Sequence, residues 1–291
     1  MTIRIEDCFE DVISKTQAGL GLSNDALAKS SGVSEEALSS LKAGKFDERT
    51  ARDVAAVLKL DAGSLIDLAN DSWFPQAEAP EGVLCFNTPF PIPGYEEMTV
   101  NSYIVFDPES KSAVAFDTGA DAAEMIQAVK EHGLKLEAIL ITHAHSDHIK
   151  DLLSLKSETE APAFIFEKES VAGAKPFAAD KVFSCGNLII RPVETSGHSK
   201  GGTTFVIEGL SRFVAIVGDA LFAGSVGGAA SAWEDALAMI REKILTLPDN
   251  AVICPGHGPL TTVAEEKAHN PIFPELKEKQ APVLDAVGSD A

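Results

Sequence analysis

Apolar and polar positions along the chain follow two different rhythms. Over residues 1–70 the apolar side chains recur at helical spacing, with Leu22, Leu27 and Ala28, then Leu38 and Leu41, then Val54, Val57 and Leu58. No strand-like alternation interrupts them, so this stretch is predicted to be helical throughout. Residues 71–82 carry Pro75 and Pro80 with little periodicity and predict a linker. From Val83 the apolar residues gather into short runs separated by Gly, Pro and Asp: Val83–Phe86, Ser102–Phe106, Ala113–Phe116, Ala138–Ile141, Phe164–Phe166, Leu188–Ile190, Thr203–Ile207, Phe213–Val217 and Val252–Ile253. These are predicted strands. Amphipathic helices are expected between some of them, at about 121–132, 147–156 and 232–246. The expectation is a small all-α domain over 1–70, an α/β domain with at least two sheets over 83–275, and a polar tail over 276–291.

Composition narrows the partners. A chain of 291 residues that is 45% hydrophobic has room for one large and one small domain. A net charge of −20 argues against nucleic acid or an anionic membrane as a non-specific partner. Cys8, Cys85, Cys185 and Cys254 are scattered and form no C-x-x-C pair, which points to a reduced compartment. The N-terminus has no apolar signal core, and no run reaches the roughly 18 apolar residues of a membrane span. A cytoplasmic protein acting on a small molecule is expected.

The chemistry is concentrated in Thr142-His143-Ala144-His145-Ser146-Asp147-His148, directly after an apolar run. Three imidazoles and a carboxylate within six positions form a metal-ligand set. Ligand pairs on a helix sit at i and i+4; here the spacings are two and one, so the ligands come from a bent loop at a strand end. Ser146 is expected to cap the following helix, with Asp147 and His148 in its first turn. Adjacent helical residues point about 100° apart, so His143/His145 and Asp147/His148 need not share one ion, and two metals are expected.

Two ions need further ligands on later strand ends. His198, in Ser196-Gly197-His198-Ser199, and His257, in Pro255-Gly256-His257-Gly258-Pro259, sit in glycine-flanked loops that allow close approach. His132 ends a helix, where it complements the dipole, and His269 falls in a polar helix as a surface residue. Asp219 closes the apolar run Val214–Gly218, where an unpaired carboxylate is expensive to desolvate. A bridging metal role answers that, the alternative being a cap on the next segment. Asp117 has the same strand-end placement and is expected to support the ligands rather than bind an ion.

The four motifs T-H-A-H-S-D-H, S-G-H, V-G-D and P-G-H-G-P, in this order, resemble the metallo-β-lactamase superfamily over about residues 82–275. The resemblance implies an αββα four-layer sandwich with the metals at one edge of the two sheets. It implies that His143, His145 and His198 hold one ion, that Asp147, His148 and His257 hold the other, and that Asp219 bridges them. The segments Leu245–Asn250, Pro255–Thr262 and Gly218–Gly227 look like those of short glyoxalase II-type thioester hydrolases. Relatives of both the glyoxalase II and the persulfide dioxygenase types usually carry an arginine and an acidic residue soon after this last glycine-rich loop, whereas this chain reads Gly227-Gly228-Ala229-Ala230-Ser231 and lacks that anion anchor.

The resemblance thus implies a dinuclear hydrolase that attacks a carbonyl, a thioester in the first instance, with hydroxide generated at two divalent ions. Zinc is expected first, with iron or manganese also suited to mixed His/Asp sites. Asp147 is the expected catalytic residue, orienting the nucleophile as well as holding an ion, and no substrate-binding residue is identified. The alternatives are a persulfide dioxygenase with one iron on His143, His198 and Asp219, a lactonase, or a DNA-binding regulator with a metabolite-sensing metal domain.

The region 1–70 resembles a Cro/repressor-type helix-turn-helix through Leu27-Ala28, Gly32-Val33-Ser34, Leu38 and Leu41. It carries 8 basic and 12 acidic residues, with Glu35 and Glu36 at the start of the helix that would enter a groove. Nucleic acid is therefore not expected as a partner; a module that packs on the enzyme or makes a homo-oligomer is.

Overall fold

The computed structural model describes residues 3–277. Five helices fill the N-terminal region: α1 (Phe9–Gly19), α2 (Asn24–Ser31), α3 (Glu35–Lys42), α4 (Glu48–Leu58) and α5 (Ala62–Ala69). Short polar residues set four of their starts. Ser23, Ser34, Asp47 and Asp61 each accept a backbone N–H from the first turn of the following helix, which contributes about 1 kcal/mol per cap. Between α2 and α3, Gly32 takes a left-handed conformation (φ 70°) that turns the chain within three residues.

A first six-stranded sheet runs in sequence order through β1 (Val83–Pro89), β2 (Thr99–Phe106), β3 (Ser112–Phe116), β4 (Lys135–Ile141), β5 (Ala163–Phe166) and β6 (Ala174–Phe177). Helices α6 (Ala123–Glu131), α7 (Ser146–Ile149) and α8 (Leu152–Thr159) belong to its crossovers. The second half contains β7 (Phe183–Cys185), β8 (Leu188–Glu194), β9 (Thr203–Glu208), β10 (Val214–Gly218), a two-stranded hairpin of β11 (Leu221–Phe222) and β12 (Ser225–Val226), helix α9 (Trp233–Met239) with a π-helical turn over Ile240–Ile244, and then β13 (Val252–Pro255) and β14 (Thr261–Thr262). The second sheet has the order β14-β13-β10-β9-β8-β7. Helices α10 (Val263–His269) and α11 (Pro274–Lys277) close the described chain. The polar tail expected from residue 276 lies, beyond Lys277, outside the described residues.

Period-two alternation sorts the strand residues into layers. Tyr103, Val105, Val114, Phe116, Ala138 and Leu140 of the first sheet meet Phe205, Ile207, Val214, Ile216, Val252 and Cys254 of the second in a core between the sheets. Their neighbours Ile104, Ala113, Ala115, Ile139 and Ile141 face the other way and pack on Met125 of α6 and on Leu152 and Leu155 of α8. On the far side, Ala215, Val217 and Ile253 pack against Trp233, Leu237, Ile240 and Ile244. The result is the expected αββα four-layer arrangement with an N-terminal helical region.

That far-side core continues into the N-terminal helices. Val12, Ile13, Leu27, Leu38, Leu41, Val54, Leu58 and Leu65 are buried in it together with the α9 residues. Polar contacts tie the same seam, with Asp61 N–H donating to the Pro271 carbonyl at 2.8 Å and Lys277 Nζ bonding Asp61 at 2.6 Å. His269 is not a free surface residue; its ring stacks on Trp73 at 4.9 Å.

The helix predicted over 147–156 begins one residue earlier and is broken at Lys150 and Asp151. The cause is a competing partner: the His148 carbonyl accepts from Thr118 N–H at 2.8 Å. The cap also moves back one place, since His145 rather than Ser146 occupies it. Among the described residues no helix is long and apolar enough to cross a membrane.

Candidate metal centre

The chain delivers its polar side chains to one edge of the sandwich because the strands that carry them all end there. β4 runs into Thr142–His148, β10 into Asp219, β13 into His257, β3 into Asp117, and the β8–β9 loop carries His198. The structure brings the seven predicted ligands into two adjoining groups. His143, His145, His198 and Asp219 offer ligand atoms within 4.8 Å of one another, and so do Asp147, His148 and His257. Neither His132 nor His269 belongs to these groups.

Asp219 joins the two sets. Its Oδ2 lies 3.3 Å from His198 Nε2, 3.8 Å from His143 Nε2 and 3.4 Å from His257 Nε2, while its Oδ1 is 3.3 Å from His148 Nε2. Asp147 sits on the other side of the second group, with Oδ2 at 3.3 Å from His257 Nε2 and 3.6 Å from His148 Nε2. In the first group His145 Nδ1 and His198 Nε2 stand 3.0 Å apart.

Acceptors around the rings fix four of the five imidazoles in one tautomer. His148 Nδ1 contacts Asp117 Oδ2 at 2.8 Å, His257 Nδ1 the Thr99 carbonyl at 2.6 Å, and His198 Nδ1 the Gly228 carbonyl at 3.0 Å. A carboxylate or carbonyl only accepts, so each of these Nδ1 atoms carries the proton. His143 Nδ1 is 3.0 Å from Thr142 Oγ1, whose own proton goes to Asp117, so it donates as well. All four rings therefore turn Nε2, and not Nδ1, toward Asp219. Histidine ligands of metals are oriented in this way.

The buried atoms left over test whether the site fits a metal. His143 Nε2, His148 Nε2 and Asp219 Oδ1 are all buried without a hydrogen-bond partner. Orphaned buried polar atoms are expensive, and these three are lone-pair donors directed at one another. A cation is the group that satisfies them together.

The electrostatics agree. Burial alone would raise the Asp219 carboxyl, but the His148 and His257 charges outweigh it and hold the group well below the usual carboxylate range. Burial would likewise lower His148 and His257, yet Asp219 in each case reverses the sign and pushes them up to about 10 and about 11. Without a neighbouring cation, the carboxylates draw protons onto the second group's imidazoles. His143 goes the other way, held well below its ordinary value by burial and by the His148 charge, so its Nε2 is free of a proton.

Backbone spacing matters as much. A β-carbon on Gly256 would overlap Asp219 Oδ1 and crowd His148 Cε1, so only glycine admits the carboxylate here. The loop that follows is clamped from β2: Asn101 Nδ2 donates to the Pro255 and Gly258 carbonyls at 3.0 and 2.8 Å, and the Tyr103 hydroxyl donates to Pro255 at 2.6 Å.

Asp117 stands behind the candidate ligands, against Thr142 and His148. Its carboxylate accepts from Thr142 N–H at 2.8 Å and Thr142 Oγ1 at 2.7 Å as well as from His148. Glu169 was not singled out by the sequence. Its two oxygens accept from Ala144 N–H at 2.7 Å and Gly201 N–H at 2.9 Å, fastening the first ligand loop to the loop that carries His198. Nothing in Glu167-Lys168-Glu169-Ser170 marks it, because both partners are backbone groups far away in sequence. Thr99 and Gly228 escape notice for the same reason.

A cavity of about 690 Å³ opens beside His145 and His198, lined by Lys168, Ser196, Ser199, Lys200, Ser231 and Asp235 among others. Lys168 is paired with Glu194 at 2.5 Å. Among the described residues Lys200 has no ionic partner, so it is the cation this wall offers to a ligand.

Comparison with known proteins shows the family. Residues 95–257, more than half of the chain, match the metallo-β-lactamase superfamily. A probable metallo-hydrolase of Streptococcus pyogenes is 33% identical over 201 residues, covering 59% of this chain and 84% of that protein. The hydroxyacylglutathione hydrolase GloC of Haemophilus influenzae is 29% identical over 198 residues, 60% of this chain and 92% of that one. The mitochondrial persulfide dioxygenase ETHE1 of Bos taurus is 32% identical over 196 residues, 63% of this chain and 75% of that one. The crystal structure of the BLEG-1 B3 metallo-β-lactamase superposes with a TM-score of 0.54 at 28% identity, over 65% of this chain and 99% of that one. With its four layers, its ligand-bearing strand ends and this match, the chain belongs to the metallo-β-lactamase superfamily.

Proposed function

We propose that the protein is a dinuclear metal-dependent hydrolase of carbonyl substrates, with thioesters of small hydroxyacids as the favoured class. The observation that carries this reading is Asp219, whose carboxylate stands between the two histidine groups, with Oδ2 3.3 Å from His198 and 3.4 Å from His257 and Oδ1 3.3 Å from His148. His143, His145 and His198 would hold one divalent ion, and Asp147, His148 and His257 the other, with Asp219 shared. Zinc suits these ligands first, and iron or manganese are accommodated by the same donor set. Bound there, the ions supply Lewis acidity toward a carbonyl oxygen and lower the pKa of water to about 7.

The chain's own groups account for the rest. Asp147 stands 3.3 Å from His257 Nε2 at the second group, where its carboxylate accepts a hydrogen bond from the attacking water and orients it. Burial tends to raise this carboxyl, but its hydrogen bond with His257 and the charge of His148 keep it low, so it stays ionised for that task. The cavity beside His145 receives the substrate; its wall of serines with Lys200 suits a polar or anionic group. None of the described side chains is poised as a general acid for a strongly basic leaving group. A thiol with a pKa of about 8.5 leaves without one, which favours a thioester over an amide. The Tyr103 hydroxyl is spent on Pro255, so it offers a lactone carbonyl nothing.

Similarity to the hydroxyacylglutathione hydrolase supports the thioester reading, and similarity to the persulfide dioxygenase supports a second one with a single iron on His143, His198 and Asp219. One assay separates them. Protein of known metal content is offered hydroxyacyl thioesters, lactones and phosphodiesters, with oxygen uptake followed on a persulfide. Thioester turnover lost in Asp219→Ala and Asp147→Ala is expected; stoichiometric oxygen consumption without hydrolysis would replace the hydrolase reading.

A further inference from the structure

Helix α1 lies outside the segment shared with the superfamily, which spans residues 95–257, yet it reaches both ligand groups through two short struts. The first begins at Lys15. Its ammonium bonds the Asp7 carboxylate at 2.5 Å and the Val226 carbonyl at 3.1 Å, and it lies 5.0 Å over the Phe222 ring. Asp7 in turn accepts from Ser225 Oγ at 2.5 Å. Phe222, Ser225 and Val226 make up the β11–β12 hairpin, which leaves directly from Asp219. The far side of this strut is the metal centre, because the Phe222 ring stands perpendicular to the His257 imidazole at 5.6 Å.

The second strut begins at the last residue of α1. A β-carbon on Gly19 would overlap the Trp233 indole, so helix and indole are in direct contact. Trp233 opens α9, and Ala236, three residues on, packs on Gly197 so closely that a β-carbon there would overlap it. Gly197 precedes His198. The segment leading into α1 touches the same site: a β-carbon on Gly258, beside His257, would stand 3.2 Å from Glu6 N.

We infer that α1 is a working part of the metal centre, and that Lys15 is a positioning residue that holds His257 through the β11–β12 hairpin. This rests on the dinuclear reading above. Lys15 is three-quarters buried and Asp7 almost wholly so. The pair therefore fixes the hairpin with little screening by solvent, and a cation over the ring face holds Phe222 in the orientation that packs on the imidazole. His257 has its Nδ1 fixed by Thr99 and its ring plane fixed by Phe222. Release of the hairpin frees the second of these, and ligand geometry loosens on one ion only.

The test is metal affinity of the full chain, read by chelator competition on protein stripped and reloaded with zinc, alongside thermal unfolding. Lys15→Met, and the charge-neutral pair Asp7→Asn with Lys15→Met should the single variant not fold, are expected to weaken the second zinc by about tenfold or more. The first zinc should stay within about threefold. Lys15→Arg should restore the second zinc, and Phe222→Leu should reproduce the loss without touching the ion pair. Lys277→Ala is the control, since it cuts the Lys277–Asp61 bond between the helical region and α11, away from the ligands. It should lower Tm and leave both affinities unchanged. Two zinc ions bound as tightly in Lys15→Met and Phe222→Leu as in the wild type would overturn the inference, as would an equal loss in Lys277→Ala. A wild-type chain that binds one zinc only would instead overturn the dinuclear reading.

Discussion

Asp117 shows how much one side chain at the edge of the site controls. It accepts two hydrogen bonds from Thr142 and one from His148 Nδ1, and its backbone is left-handed with φ 56°. Asparagine tolerates that conformation, so Asp117→Asn preserves the turn while placing an amide donor against His148. The imidazole must then move its proton to Nε2, the atom directed at Asp219. The expected result is a loss of about 10- to 100-fold in affinity for the second ion, with unchanged secondary structure by circular dichroism. An unchanged affinity would remove Asp117 from the support of the site. The sequence marked Asp117 through its place after an apolar run, but its partners became visible only in three dimensions.

Glu266 is a residue-scale feature whose burial the sequence did not reveal. Fully buried, it is pushed up to about 7 by desolvation, against hydrogen bonds from Asn270, Thr261 and the Gly224 N–H. The folded pKa lies above the unfolded one, so the unfolded chain loses this proton first as pH rises. The group therefore favours the folded state below about pH 4.5, and that advantage declines up to about pH 7. A shift of this size corresponds to about 3 kcal/mol. In the metal-free protein, the stability difference between wild type and Glu266→Gln should change by that order between pH 4.5 and 8, in favour of wild type at the acid end. A pH-independent difference would contradict the assignment.

At the scale of elements, period and punctuation revealed most of the strands and all of the ligand loops. β2, β3, β4, β9 and β10 were legible because each alternates between two buried faces and ends at a polar residue. Five strands escaped. β6 carries Lys175 and Pro176 at a sheet edge, and β7, β11, β12 and β14 are two or three residues long, too short for a period to register. The candidate ligands were legible for a different reason: imidazole and carboxylate at strand ends have few structural uses.

The N-terminal helices were legible as a helical module, expected to pack on the enzyme or to make a homo-oligomer. Their helical spacing identified them, but it could not say what their apolar faces cover. They share one core with β10, β13 and α9. A chain beginning near Asp71 should therefore expose that face, and aggregation or loss of metal is expected where an independent module would leave both intact. Size-exclusion chromatography with metal analysis checks it; a monomeric truncated chain that keeps its metals and its turnover would show that the seam is dispensable. Glu35 and Glu36 remain exposed at the start of α3, so operator binding is not expected, and a gel shift at physiological salt tests that separately.

For the molecule as a whole, two sheets and their covering helices bring seven side chains from four strand ends into two adjoining groups that meet at the Asp219 carboxylate. The claim that organises everything else is that Asp219 serves two ions. Elemental analysis of the purified full-length protein, compared with His148→Ala and His257→Ala, tests it most directly. Two divalent ions per chain are expected in the wild type, falling toward one in each variant while the group of His143, His145 and His198 keeps its own. A wild type holding a single ion, or variants that retain two, would contradict it.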